Sequence, residues 1–129
     1  MGSTNENLNR LVRLVETGNP WSATYLVSHL KHLDGGNLED SLIAIGMFGD
    51  HDAEGLLTFA KSGNLSDREL KSVLMMLPLS MSDDLDTQFR IMQERRMRVA
   101  RVSRLDLAGK KDMALKSIDE FLTRLAANK

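Results

Sequence analysis

Apolar residues recur three and four positions apart along almost the whole chain, and this spacing constrains the fold more than any other feature. The first such segment carries Leu8, Leu11, Val12 and Val15, and the second carries Trp21, Tyr25, Leu26, Leu30 and Leu33. This spacing places apolar side chains on one face of an α-helix, whereas a half-buried strand would alternate apolar and polar residues. No segment shows that alternation. The sequence therefore predicts an all-α protein.

Capping and terminating residues divide the chain into seven predicted helices. Gly18 is expected to end the first helix, and Asn19 followed by Pro20 to begin the second, because Asn caps helix N-termini and Pro fits the first helical position. Ser66 and Glu69 have the spacing of a capping box at the start of the fifth helix. The predicted helix pairs span residues 4–33, 37–62 and 66–104, and a C-terminal capping helix spans 110–127.

The boundaries of the second pair are predicted from glycines and acids. Asn37 is expected to open the third helix, with Glu39 and Asp40 in its first turn, where acids interact favourably with the helix dipole. Gly49 and Asp50 are expected to turn the chain into the fourth helix, with Asp50 as its N-cap. Short turns of this kind imply antiparallel neighbours within a single domain spanning residues 1–129.

An internal repeat links the first two predicted pairs. Shifting the sequence by 31 residues places Leu11 on Leu42 and Gly18 on Gly49. A shift of 32 aligns a weaker third copy, in which Met81 replaces the turn glycine. A fixed period of this length is typical of stacked helical repeats.

The second copy resembles a known repeat family. Residues 44–53 read Ala-Ile-Gly-Met-Phe-Gly-Asp-His-Asp-Ala and are followed by Leu56 and Leu57. They resemble the short HEAT-like repeat of phycobilisome lyases, whose pattern is A-L-G-x-x-G-D-x-x-A followed by leucines. The resemblance covers residues 38–61 and, more weakly, 8–33 and 70–92. It implies an α-solenoid of about three stacked antiparallel hairpins, closed by the last helix. The alternative is an irregular helical bundle.

The composition is that of a folded protein without cysteine. Apolar residues make up 42% of the chain and charged residues 27%, as in ordinary globular domains. Because there is no cysteine, disulfides and thiolate metal sites are excluded, and a reducing compartment is expected. The sequence has no apolar run long enough for a bilayer and no secretory signal pattern. We therefore expect a cytoplasmic protein that does not interact with membranes.

A net charge of −1 conceals an uneven distribution. Through Thr87 there are 13 acidic and 6 basic residues, and from Gln88 onward there are 5 acidic and 11 basic residues. Asymmetry of this kind steers association with a charged partner, or it reflects attraction between the two halves of one fold.

Two charged sets are candidate partner-binding surfaces. The first is the acidic set of the N-terminal half: Asp34, Glu39, Asp40, Asp50, Asp52 and Glu54. The second is the less favoured basic set, which gathers on one face of the sixth predicted helix with Arg95 and Arg96 at its flanks: Arg90, Arg98, Arg101 and Arg104. Arginines on one face can bind carboxylates or phosphates. The alternative is a solvated face that is partly paired with the acids.

No catalytic or metal-binding motif is evident. The histidines are His29, His32 and His51, and their spacing does not match any metal-binding motif, since a metal site needs three or four converging ligands. Asp50 and Asp52 beside His51 are better explained as an N-cap and a first-turn acid. We therefore expect no catalysis, no metal and no cofactor.

These features together predict a protein-binding module. The small, charged, cysteine-free helical chain resembles the immunity proteins with which bacteria neutralise secreted toxins. That resemblance implies that the acidic set binds a basic toxin surface and blocks its active site. The alternatives are a scaffold or chaperone subunit of a bacterial assembly, and a lyase-like protein that binds a small molecule. Because the chain is neutral overall and acidic at the front, a nucleic acid is not an expected partner. A monomer or weak dimer is expected.

Overall fold

The computed structural model describes residues 2–77 and 84–128, with side chains from residue 6 onward. Within these ranges the chain forms seven α-helices and no strand: α1 Gly2–Glu16, α2 Pro20–His29, α3 Gly35–His51, α4 Ala53–Ser62, α5 Asp67–Met75, α6 Leu85–Ala100 and α7 Ala108–Ala127. Short 3-10 turns at Leu30–His32 and Leu105–Leu107 follow α2 and precede α7. The prediction of an all-α fold is confirmed for the described part of the chain.

Local capping signals placed several helix ends correctly. Gly18 has a φ of +94°, as expected of a glycine that ends a helix. The Asn19 side chain accepts a hydrogen bond from the N–H of Ser22 at the start of α2. Ser66 and Glu69 form both hydrogen bonds of the capping box, so α5 begins as predicted.

The predicted start of α3 is wrong. The helix begins at Gly35, preceded by Asp34, and not at Asn37. Gly35 has a φ of +53°, which allows the chain to turn into the helix two residues early. Glu39 and Asp40 consequently lie in the second turn, beyond the strongest influence of the helix N-terminus.

The predicted turn between α3 and α4 is also displaced. Gly49 and Asp50 lie inside α3, and it is Asp52 that caps α4 by accepting a hydrogen bond from the N–H of Gly55 at 2.8 Å. Gly49 is buried against Leu56, and a Cβ at Gly49 would lie 2.5 Å from the Leu56 Cδ2. This glycine therefore serves close packing of two helices and not a turn.

The boundaries near the third predicted pair are only partly described. α6 begins at Leu85 after the N-cap Asp84 and ends at Ala100, four residues short of the predicted end. The predicted helix start at Ser82 and the substituted turn position Met81 lie outside the described residues. α7 begins at Ala108, so the last helix starts slightly earlier than predicted.

Alternate helices contact one another along the chain. α1, α3, α5 and α7 are in contact in that order, and so are α2, α4 and α6. In addition, α1 packs on α2 and α3 packs on α4. The last helix packs against both α5 and α6, which are the two helices of the predicted third pair.

One hydrophobic core receives side chains from every helix. Its buried members include Val15, Leu26, Ile45, Phe48, Leu57, Leu74, Val99 and Ile118. Tight burial of Leu, Ile and Phe at helical spacing accounts for the apolar periodicity of the sequence.

Candidate partner-binding surfaces

Arg95 of α6 is the one buried charged side chain in the described part of the chain, with 3% of its surface exposed. Its Nε and Nη2 atoms donate hydrogen bonds to the two carboxylate oxygens of Asp50, each at 2.9 Å. Its Nη1 atom donates to the carbonyl oxygen of Leu74 at 2.7 Å, and lies 3.3 and 3.4 Å from those of Val73 and Met76. One guanidinium group therefore joins α3, α5 and α6.

This buried junction corrects the predicted role of Asp50. The carboxylate is neither an N-cap nor a free acid, because Arg95 already occupies both of its oxygens. Arg95 also satisfies carbonyl groups at the C-terminal end of α5, which have no partner within the helix. A signal for this role was present in the sequence: Arg95 lies between Met92 and Val99 in the apolar register of α6, and both neighbours are buried.

The structure separates the predicted acidic set into two groups at opposite ends of α3. Asp34, Glu39 and Asp40 lie near its start, and Asp50, Asp52 and Glu54 lie at its end or just beyond. At a rise of about 1.5 Å per residue, Glu39 and Asp52 are roughly 20 Å apart. All but Asp50 are exposed. The first three and Glu54 have no ion-pair partner among the described residues.

Two of the predicted arginines are occupied locally. Arg90 pairs with Glu94 one turn further along α6, at 3.5 Å. Arg104 lies beyond the end of α6 and pairs with Asp106 at 2.6 Å. The hydrogen bond with Asp106 raises the pKa of Arg104, and Glu54 adds a smaller contribution in the same direction. Arg90 still lines a groove together with Arg98, whereas Arg104 is no longer part of the helix.

The remaining arginines border a groove of mixed charge. Arg98 and Arg101 form one side of a shallow groove of about 430 Å³, and His51, Asp52 and Glu54 form the other. No ion pair crosses this groove among the residues that the structure describes. Part of the acidic set and part of the basic set therefore meet in one place, and together they can bind a partner segment that carries both signs of charge.

The most exposed aromatic residues lie elsewhere, on α2. Trp21 and Tyr25 are the chain's one tryptophan and one tyrosine, and they are 84% and 56% exposed. The Tyr25 ring stacks on His29 with 4.1 Å between centroids. The sequence predicted both residues to be on the apolar face of their helix, and this is wrong. Burial follows Ala23, Leu26 and their neighbours instead, and periodicity alone did not distinguish the two flanks.

The histidines do not gather into a metal site. Within the described ranges, no three His, Asp or Glu side chains are arranged so that they could hold a metal ion. The His29 Nδ1 atom lies 2.9 Å from the carbonyl oxygen of Tyr25. His51 packs against the turn at Gly18, where a Cβ would lie 3.0 Å from that of His51.

None of the described helices is both long and apolar enough to cross a bilayer.

Comparison with known proteins gave no matching family model and no match among curated proteins or solved structures. The HEAT-like resemblance therefore depends on the residues of the repeat pattern themselves.

Proposed function

We propose that the chain is a non-catalytic protein-binding module that acts as an immunity protein, binding a toxin and blocking its active site. The observation that carries this proposal is the charge of α3 and α4. Residues 34–62 contain six acids and one lysine, and among the described residues only Asp50 of those acids is in an ion pair. The negative charge of this surface is therefore available to a partner.

The arginines between residues 90 and 104 differ from these acids, because most of them are in ion pairs. Four of the six arginines between residues 90 and 104 are held in ion pairs: Arg90, Arg95, Arg96 and Arg104. The acids of residues 34–62 are therefore less occupied than these arginines, and a partner complementary to them is basic. Complementary charge accelerates encounter and excludes partners of the wrong sign.

The arrangement of the helices supports the stacked-hairpin part of the proposal. In an α-solenoid, each unit contacts only its neighbours, so that alternate helices form two layers. The contacts α1–α3–α5–α7 and α2–α4–α6 follow this order, but the third hairpin departs from it, because α6 packs mainly on α7 and not on α5. A HEAT-like stack would hold both acidic groups on a rigid frame. Their separation of roughly 20 Å lies within the width of a standard interface, which buries about 800 Å² on each partner.

Binding to a toxin can be tested with two double variants of equal charge change. The proposed place of action is the cytoplasm of the cell that produces the toxin. The proposal predicts a toxin gene beside this one, and the purified toxin domain that it encodes is the protein to titrate by isothermal calorimetry. Glu39→Lys/Asp40→Lys reverses two acids of α3, and Asp112→Lys/Glu120→Lys reverses two exposed acids of α7. The α3 variant is expected to bind at least about tenfold more weakly, since several charge pairs would become repulsive.

Asp50 and Asp52 are kept unchanged in this experiment. Asp50 neutralises Arg95 and Asp52 caps α4, so reversing either would change stability as well as binding. Equal toxin affinities for the wild type and the α3 variant would refute the proposal that the acids of α3 bind the toxin. An equal loss of affinity in the α3 and α7 variants would indicate a general charge effect and would also contradict this proposal.

A further inference from the structure

The groove of mixed charge at the end of α6 adjoins a second groove of about 280 Å³ that lies further toward the start of this helix. The two grooves share Asp50, His51 and Arg98. We call them together the α6 groove. Its wall on α6 runs from Arg90 to Arg101, which is roughly 17 Å at a rise of about 1.5 Å per residue. A long, open groove of this kind fits an extended chain segment, whereas a small molecule needs a pocket that encloses it on most sides.

The lining changes from one end of the α6 groove to the other. The end near Arg90 includes three apolar side chains: Met47, Leu77 and Ile91. The end near Arg101 is charged and includes Asp52 and Glu54. A segment that lies along the groove therefore meets an apolar surface at one end and carboxylates at the other.

Arg98 is half-buried and lies where the two grooves meet. The acids that line the groove beside it are already occupied. Asp50 binds Arg95 through both of its carboxylate oxygens, and Glu94 pairs with Arg90. Among the described residues, the Arg98 side chain makes no ion pair and no hydrogen bond. A guanidinium group that is partly withdrawn from water and has no partner favours an incoming carboxylate, because such charge-assisted hydrogen bonds strengthen where water is excluded.

The two acids at the far end of the α6 groove are available to a cation. Glu54 has no ion-pair partner in the part of the chain that the structure describes. Asp52 uses its Oδ1 atom to accept the hydrogen bond that caps α4, and its Oδ2 atom makes no hydrogen bond to any described residue. Two carboxylates at one end of the groove can therefore bind the side chain of a lysine or an arginine.

We propose that the α6 groove binds an extended segment of the toxin in which an apolar, an acidic and a basic residue follow one another at alternate positions. The acidic side chain binds Arg98, the apolar side chain lies on the surface near Arg90, and the basic side chain binds Asp52 and Glu54. Alternate residues of an extended chain face the same side, and three of them span about 14 Å, which the groove accommodates. Because the segment belongs to the toxin, its recognition rests on the proposed function.

Two pentapeptides with blocked ends test this recognition without the toxin. Acetyl-Leu-Ser-Glu-Ser-Lys-amide has the proposed pattern, and acetyl-Leu-Ser-Lys-Ser-Lys-amide has the wrong charge at its centre. Titration of the isotope-labelled protein, followed by the NMR shifts of its amides, measures both affinities. The first peptide should bind with a dissociation constant on the order of 1 mM, since a short flexible segment loses much entropy on binding. The second should bind at least about tenfold more weakly, because its lysine faces Arg98.

Reversing the charge of Arg98 should reverse this preference. Arg98→Glu is expected to bind the peptide with the central lysine more tightly than the peptide with the central glutamate. A loss of folding cannot produce such a reversal. The matched control is Arg68→Glu, at an exposed position of α5 that does not line the groove, and it should bind both peptides as the wild type does. Arg98→Gln, which adds no negative charge, should bind the two peptides equally well.

Equal binding of the two peptides by the wild type would overturn the inference. So would the absence of binding up to about 20 mM, far above the expected constant, or amide shifts confined to residues outside the α6 groove. The Glu39→Lys/Asp40→Lys variant should bind the first peptide like the wild type, since neither residue lines the groove.

The toxin itself separates this inference from the proposed function. Arg98→Glu should weaken toxin binding at least about tenfold, whereas Arg68→Glu should leave it unchanged. Toxin binding that is unaffected by Arg98→Glu would overturn the segment and leave the immunity function standing. Discrimination between the peptides by a chain that binds no toxin would refute the immunity function and retain the α6 groove as a peptide-binding site.

Discussion

Arg95 and Arg96 are neighbours on α6, and each makes two hydrogen bonds to an aspartate, but their surroundings differ. Arg95 is 3% exposed and binds Asp50 of α3. Arg96 is 42% exposed and binds Asp119 of α7, itself half exposed. Arg95 also donates to carbonyl groups at the end of α5, whereas Arg96 is partly exposed to solvent.

From this comparison we expect that burial, more than the geometry of the ion pair, determines how much such a pair contributes to stability. If Asp119 is removed, water can solvate Arg96, so the pair is worth little. If Asp50 is removed, Arg95 remains a buried charge without compensation, and the cost is large. The two pairs therefore allow the same substitution to be compared at the aspartate partners of two neighbouring arginines.

The largest effect is expected for Asp50→Asn. This change keeps the size of the side chain but removes the charge that compensates Arg95, and we expect a loss of about 3–5 kcal/mol in the free energy of unfolding. Asp119→Asn, the same change at the exposed pair, should cost less than about 0.5 kcal/mol. Urea unfolding followed by circular dichroism measures both. Similar losses in the free energy of unfolding would mean that burial does not make the Arg95–Asp50 pair more important for stability than the Arg96–Asp119 pair.

Gly46→Ala tests whether the buried junction depends on the close approach of α3 to α5. A Cβ at Gly46 would lie 2.4 Å from the carbonyl oxygen of Val73 and 3.5 Å from the Arg95 guanidinium nitrogens. Because backbone must move to relieve this contact, we expect a loss of about 1–3 kcal/mol in unfolding free energy. Gly109→Ala in α7, where a Cβ meets nothing within 4 Å, is the control and should be neutral or stabilising. A neutral Gly46→Ala would show that the junction tolerates separation of the helices.

Asp52→Ala should have an intermediate effect on stability, because Asp52 is exposed but accepts a hydrogen bond from a backbone N–H group. Its carboxylate caps α4 through the N–H of Gly55, and loss of an N-cap costs about 1 kcal/mol. Thermal unfolding and amide hydrogen exchange of α4 measure the change. Asp52→Asn retains a capping oxygen and should lose much less. If both variants lost the same amount, the charge and not the cap would be responsible.

The pair Asp50 and Asp52 also shows how far the sequence determined the structure. Caps such as Asn19 and Ser66 were predicted because both partners lie within four residues, so the local sequence contains the whole interaction. The partner of Asp50 is Arg95, 45 residues away, and only the packing of α3, α5 and α6 brings them together. The repeat pattern placed a turn at Gly49 for the same reason: a glycine needed for helix packing and a glycine that ends a helix look alike in sequence.

The candidate surfaces were predicted in composition but not in arrangement. The sequence identified the acids and arginines, but the distance between the two acidic groups follows from α3 continuing unbroken to His51. The sequence did not predict that Trp21 and Tyr25 are exposed, because apolar spacing does not show which flank of a helix packs against the adjacent helices. Neither surface depends on a motif that could be recognised without the fold.

The smallest effect is the acid dependence of the exposed pair. The hydrogen bond from Arg96 lowers the pKa of Asp119 below its ordinary value, so the stabilisation is complete above the ordinary aspartate value of about 3.9. It is lost as the pH falls through the lower pKa of the folded state. Since both side chains are largely solvated, the contribution is below about 0.5 kcal/mol. Carboxyl NMR titration should show the Asp119 pKa rising in Arg96→Gln, and the stabilities of the two proteins should converge in acid. An unchanged Asp119 pKa in that variant would mean that Arg96 does not bind the carboxylate in solution. The Arg96–Asp119 pair could then not serve as the exposed counterpart of Arg95–Asp50.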